Sequence, residues 1–135
     1  MKAKFLVPLV PVVLGICFTV LPQDKSRKAE QAMVAFWTRF QLAVTRGDKG
    51  AVAAMSGFPL EMPYGTKRIR TKQQFLRDYT RIFDVETKKC FAEAKPQPDE
   101  SKQKRFWIGC GEAMMYWFEQ RNGIYKFVAV DNVNE

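Results

Sequence analysis

Residues 106–133 read FWIGCGEAMMYWFEQRNGIYKFVAVDNV, with aromatic and β-branched residues on both sides of Arg121-Asn122-Gly123-Ile124. Asn-Gly is the strongest short signal for a hairpin, because its turn needs positive φ at both central residues. The stretch predicts one long strand from Phe106 to Gln120 and another from Ile124 to Val133. The turn sets the register: Phe118 opposite Phe127, Glu119 opposite Lys126, Trp117 opposite Val128 and Met115 opposite Val130. Gly109 and Gly111 mark a bulge or bend within the first strand. One face then carries Glu112, Met114, Tyr116 and Phe118 with Phe127, Ala129 and Asp131. The other carries Ala113, Met115, Trp117, Val128 and Val130. Both faces are largely apolar, so both need cover. Helices are expected on one, and a partner or a second copy of the chain on the other.

The helices lie upstream. Ser26 can cap a helix reaching Arg46, with Ala29, Met33, Phe36, Trp37, Phe40 and Val44 at the spacing of one buried face. Gly47 suits its C-terminus, and Asp48 can cap a second, short helix over Lys49–Met55. Phe58 to Gly65, broken by Pro59 and Pro63, reads as extended chain and turn. Thr71-Lys72-Gln73-Gln74 is a capping box that opens a third helix to Phe83. Val85 to Ala94 reads more as a strand through Cys90 than as a helix. Lys95 to Lys104, polar and carrying Pro96 and Pro98, reads as a solvated loop.

The N-terminus has the layout of an export signal. Lys2 and Lys4 precede an uncharged apolar run, Phe5 to Leu21, and polar Gln23-Asp24-Lys25-Ser26 follows. Residues 1–23 are read as a signal peptide or N-terminal anchor and 24–135 as a single domain. Cleavage after Cys17 and lipidation at Leu14-Gly15-Ile16-Cys17 are further options. The expected location is periplasmic or secreted, with membrane contact only through this segment. An isolated cysteine pair in an exported domain, Cys90 and Cys110, is most simply a disulfide. The competing reading, a thiolate nucleophile, lacks a histidine partner.

The element order is now long helix, short helix, Phe-Pro-Leu stretch, capped helix and terminal strands. With Ala35-Phe36-Trp37-Thr38-Arg39-Phe40-Gln41, Gly47-Asp48, Phe58-Pro59-Leu60, Phe75-Leu76-Arg77-Asp78-Tyr79 and Ile82-Phe83, it resembles the nuclear-transport-factor-2-like (NTF2-like, cystatin-like cone) superfamily. That resemblance implies an α+β fold, N-terminal helices packed in a strongly bent antiparallel sheet. It implies no single function, because enzymes, binders, scaffolds and immunity proteins share the fold.

The 135 residues include 22 Lys+Arg, 14 Asp+Glu and no histidine, for a net charge of +8. The missing histidine excludes His-based triads, histidine general bases and His-ligated zinc. No phosphate-binding loop, dinucleotide fingerprint or metal-ligand spacing is present, so no cofactor and no metal is expected. Glu112, Tyr116 and Asp131 share the face that would line the cone. They are the cavity candidates, and two carboxylates beside a phenol could do acid/base work if burial separated their pKa values. The tyrosine of steroid-isomerase-like relatives comes from the first helix, where this chain has Phe36, Trp37 and Phe40, so no catalytic role is carried across. Met115, Trp117, Val128 and Val130, with Trp107, are the interface candidates. Lys67, Arg68 and Arg70, with Lys72, could receive a phosphate or carboxylate near a helix N-terminus. A solvated basic face is the simplest reading of them, with attraction to an anionic envelope surface or an acidic partner next. Only Tyr64 lies near them as an aromatic platform, which argues against nucleic acid.

The sequence thus predicts an exported, non-catalytic binding or protein-interaction domain of the cell envelope. It would hold a small apolar ligand in the cone or a protein partner on the sheet. Alternatives are a periplasmic immunity protein and a hydratase- or isomerase-like enzyme using the carboxylate/tyrosine trio.

Overall fold

The computed structural model describes Pro11, Gly15, residues 23–63 and residues 68–134. Most of the stretch read as an export signal, Cys17 included, lies outside these residues, as do Tyr64 and Lys67.

The first helix, α1, spans Gln23–Arg46. It starts before Ser26, so that serine is inside the helix rather than its cap. Phe36, Trp37, Phe40, Ala43 and Val44 form its buried face. Gly47 adopts φ of 67° and ends the helix, its N–H donating to the Val44 carbonyl at 3.0 Å. Asp48 caps α2 (Lys49–Ala54) by accepting from the Ala51 N–H at 3.1 Å. Strand β1 follows at Ser56–Glu61. Thr71 caps α3 (Lys72–Ile82) by accepting from the Gln74 N–H at 3.1 Å.

Val85–Glu93 is a helix, α4, and not the expected strand. Its start signal is Asp84, which accepts from the Thr87 N–H at 2.8 Å. Glu86 in the first turn complements the helix dipole. β-branched Val85 and Thr87 make the segment look like a strand, but the cap and the burial of Phe91 against Trp37, Phe40 and Phe83 outweigh that preference.

After a minimal strand β2 (Gln97–Pro98) within the polar loop, the expected single strand from Phe106 divides. It forms β3 (Arg105–Cys110) and β4 (Met114–Arg121), paired antiparallel with Trp107 opposite Trp117 and Cys110 opposite Met114. Gly111 at φ 66° makes the reversal, so the glycine marks a full turn rather than a bulge. Asn122 (φ 50°) and Gly123 (φ 78°) form the predicted turn into β5 (Ile124–Asn132).

The sheet has five strands in the order β1-β5-β4-β3-β2. The fold is α+β, as the resemblance implies. The sheet is mixed rather than wholly antiparallel, because β1 runs parallel to β5. Its inner face meets the helices in one aromatic core. Phe106 stacks on Phe118 at 4.7 Å, and Phe40 meets the edge of Phe118 at 5.0 Å. Such geometry contributes beyond area burial.

Near the turn the register is as predicted, Phe118 with Phe127 and Glu119 with Lys126. It then slips by one residue, so that Trp117 faces Ala129, Met115 faces Asp131 and Tyr116 faces Val130. Val128 is the extra residue of a β-bulge. Because side chains alternate, this slip exchanges the faces of everything beyond it on β5. Among the described residues no helix is long and apolar enough to cross a membrane.

Candidate functional site

Tyr116 lies mid-strand on the inner face, 3% exposed. Its ring meets Phe91 edge-on at 5.0 Å, and its hydroxyl stands 3.4 Å from Thr87 Oγ1 and 3.5 Å from the Ile82 carbonyl. Beside it opens a cavity of about 390 Å³. Met62, Ile69, Ile82, Met114 and Val130 supply its apolar walls, while Gln74, Asp78, Arg81, Asp84 and Thr87 supply its polar groups. The volume falls within the roughly 300–1,000 Å³ of small-molecule sites, which likewise join an apolar lining to a few polar groups.

Two helix starts aim the polar groups. The Thr71 cap fixes the phase of α3, and Gln74, Asp78, Arg81 and Ile82 then fall at three- and four-residue spacings along one side. The chain turns at Phe83, and Asp84 and Thr87 enter from the first turn of α4. A disulfide joins Cys90, one turn beyond Thr87, to Cys110, the strand partner of Met114, with Cα atoms 5.8 Å apart. It therefore ties the helical wall of the cavity to the sheet wall. This is the predicted pairing.

Electrostatics separate the roles of the oxygens. Burial pushes the Tyr116 phenol above its ordinary range, the Thr87 hydrogen bond opposes this, and the Asp84 charge adds to it. The phenol stays protonated at neutral pH and is a hydrogen-bond donor. Asp84 moves the other way: the backbone N–H and then the hydroxyl of Thr87 hold its carboxyl below the usual range. Asp78 lies 3.8 Å from Arg77, in contact with solvent. Arg81 makes no ion pair among the described residues.

The structure brings only part of the sequence-predicted set together. Of the cavity candidates, Tyr116 lines the cavity. Glu112 sits exposed in the turn after β3, and Asp131 is exposed opposite Met115 on the outer face. The bulge at Val128 is what removes Asp131 from Tyr116, so the expected trio does not form. The same slip corrects the interface candidates. Val130 turns inward to line the cavity, and Val128 is 3% exposed within the bulge. Met115 and Trp117 do lie on the outer face, half-buried, where Trp117 and Trp107 approach to 6.3 Å and the Arg105 guanidinium covers Trp117 at 4.1 Å. Of the anion candidates, Arg68 is paired with Glu61 at 2.9 Å, while Arg70 is exposed beside Phe58 and Pro59. Asp78, Arg81, Asp84 and Thr87 were not among the expected site residues. The cap at Asp84 was their one visible signal. Among the described residues no cluster of three or more acidic or cysteine side chains is arranged to hold a metal ion.

No protein-family model and no curated protein matches the sequence. Among solved structures the chain is similar to an NTF-2-like protein of unknown function from Shewanella oneidensis MR-1. The two are 13% identical, the match covers 82% of this chain and 98% of that chain, and the TM-score is 0.38.

Proposed function

We propose that this chain is an exported binding domain that holds a small molecule in the cavity beside Tyr116, without transforming it. The observation that carries the reading is the cavity itself, about 390 Å³ with apolar walls and a rim of hydrogen-bonding groups. The basic-then-apolar N-terminus and the Cys90–Cys110 disulfide support export to an oxidising compartment. The phenol of Tyr116, held protonated, donates to the Ile82 carbonyl at 3.5 Å and turns an acceptor oxygen towards a ligand.

The test is a thermal-shift screen of small aliphatic alcohols, amines, carboxylates and amino acids, run on wild type and on Val130→Trp, which fills the cavity. A compound that raises the melting temperature of wild type and not of the variant is the expected result. Equal stabilisation of both, or of neither, by every compound would remove the reading.

A second copy of the chain is the favoured occupant of the outer face. Arg121 and Lys126 stand at its hairpin end beside Arg105, which pairs with Asp99 at 3.6 Å, and Lys102, which pairs with Glu119 at 2.6 Å, while Asp131 stands at the opposite end. A two-fold arrangement over the Trp107–Trp117 pair sets each basic end against an acidic one. Sedimentation should then show a dimer that Trp117→Ala and Asp131→Lys each weaken; a monomer at high concentration would exclude it.

A further inference from the structure

The charges around the cavity restrict what can enter it. Asp78 and Asp84 stand on either side of Arg81 in the chain, and all three line the same opening. Asp78 has only a long contact with exposed Arg77, and Arg81 has no ion-pair partner among the described residues. A simple cation would satisfy a carboxylate and face the guanidinium. A simple anion would pair with the guanidinium and face two carboxylates. Either leaves a like charge opposed, which weakens association. A molecule with both charges at one end satisfies both signs, and the apolar walls, Met62, Ile82, Met114 and Val130, then require an uncharged tail.

We propose that the cavity binds a small zwitterion with an ammonium and a carboxylate at one end and an apolar chain at the other, the chemistry of an apolar α-amino acid. The ammonium lies against Asp78 and Asp84, the carboxylate accepts from Arg81 and Gln74, and the tail fills the space between α3 and the sheet. This rests on the cavity being a ligand site and goes beyond it by naming the ligand's charge pattern.

Calorimetric titration of the full chain with leucine, leucinamide, N-acetylleucine and isocaproamide separates the contributions. Leucinamide lacks the carboxylate, N-acetylleucine lacks the ammonium, and isocaproamide lacks both. The expected result is binding of leucine with a roughly tenfold or larger loss for each single deletion, the loss of one charge-assisted contact. Arg81→Gln should erase the difference between leucine and leucinamide, and Asp78→Asn should reduce that between leucine and N-acetylleucine. Both side chains contact solvent, so the variants keep the fold, and leucinamide binding to Arg81→Gln checks that. If isocaproamide binds as tightly as leucine, the cavity remains a ligand site and the zwitterion is wrong. If no compound of the four binds while a compound from the thermal-shift screen does, the zwitterion alone falls. If nothing binds in either experiment, both readings fall.

Discussion

At the hairpin end of the inner face, Phe36, Phe106, Phe118 and Tyr125 fill the space between α1 and the sheet, with ring centroids 4.7–6.3 Å apart. At the other end the same strands present Ile108, Tyr116, Met114 and Val130, and the space under α3 stays open as a cavity of about 390 Å³. One end is closed by interlocked rings. The other is framed by two capped helices and a disulfide. The difference shows how one sheet supplies both stability and a site: bulky aromatics carry the fold where no ligand enters, and a covalent tie holds the walls where packing is incomplete.

The largest effect should come from breaking the closed end. Phe118→Ala removes a fully buried ring that touches Phe36, Trp37, Phe40, Phe106 and Phe127. Chemical denaturation should show a loss of about 3–5 kcal/mol. Breaking the open end comes next. Cys90→Ser with Cys110→Ser releases a loop of 20 residues and should cost roughly 3 kcal/mol in the chain-entropy model. It should also weaken ligand binding, because α4 carries Thr87 to Tyr116, whereas Phe118→Ala in its folded fraction should bind as wild type. If the two variants lose affinity alike, the two ends are not distinct.

The smallest effect concerns Tyr79, 1% exposed, whose hydroxyl has no hydrogen-bond partner among the described residues. Burial and then the Asp48 charge push its phenol up to about 12 from 10.0. A raised pKa means that the folded state holds the proton more tightly than the unfolded one. That contribution is complete below pH 10.0 and is lost as pH rises towards about 12. Tyr79→Phe should therefore leave neutral-pH stability unchanged or raise it by about 1 kcal/mol. It should also flatten the alkaline loss of stability followed by circular dichroism. A marked drop at neutral pH would mean that the hydroxyl has a partner.

Some of this was legible in the sequence for identifiable reasons. Asn122-Gly123 fixed the turn, and with it the Phe118–Phe127 pair, since both residues take positive φ. Two cysteines in a domain behind a basic-then-apolar N-terminal stretch were enough to expect the disulfide. The bulge was not legible. Phe127-Val128-Ala129-Val130 is apolar at every position, so alternation carries no mark of which residue is the extra one. That slip decided which of Asp131 and Val130 faces the cavity. The rim was hidden for another reason: Asp78 and Arg81 look like an ordinary solvated helix face, and Asp84 precedes a segment that reads as a strand. Only the packing of α3 and α4 against β4 and β5 turns them towards one opening.

The reading that this cavity is where the protein binds is tested most directly by the methionine methyl groups in an NMR titration with the best compound of the thermal-shift screen. Met62 and Met114 line the cavity, while Met115, one residue on, faces the outer side. Shifts at Met62 and Met114 that saturate together, with Met115 unmoved, are the predicted result. Saturating shifts at Met115 with Met62 and Met114 unchanged would contradict it.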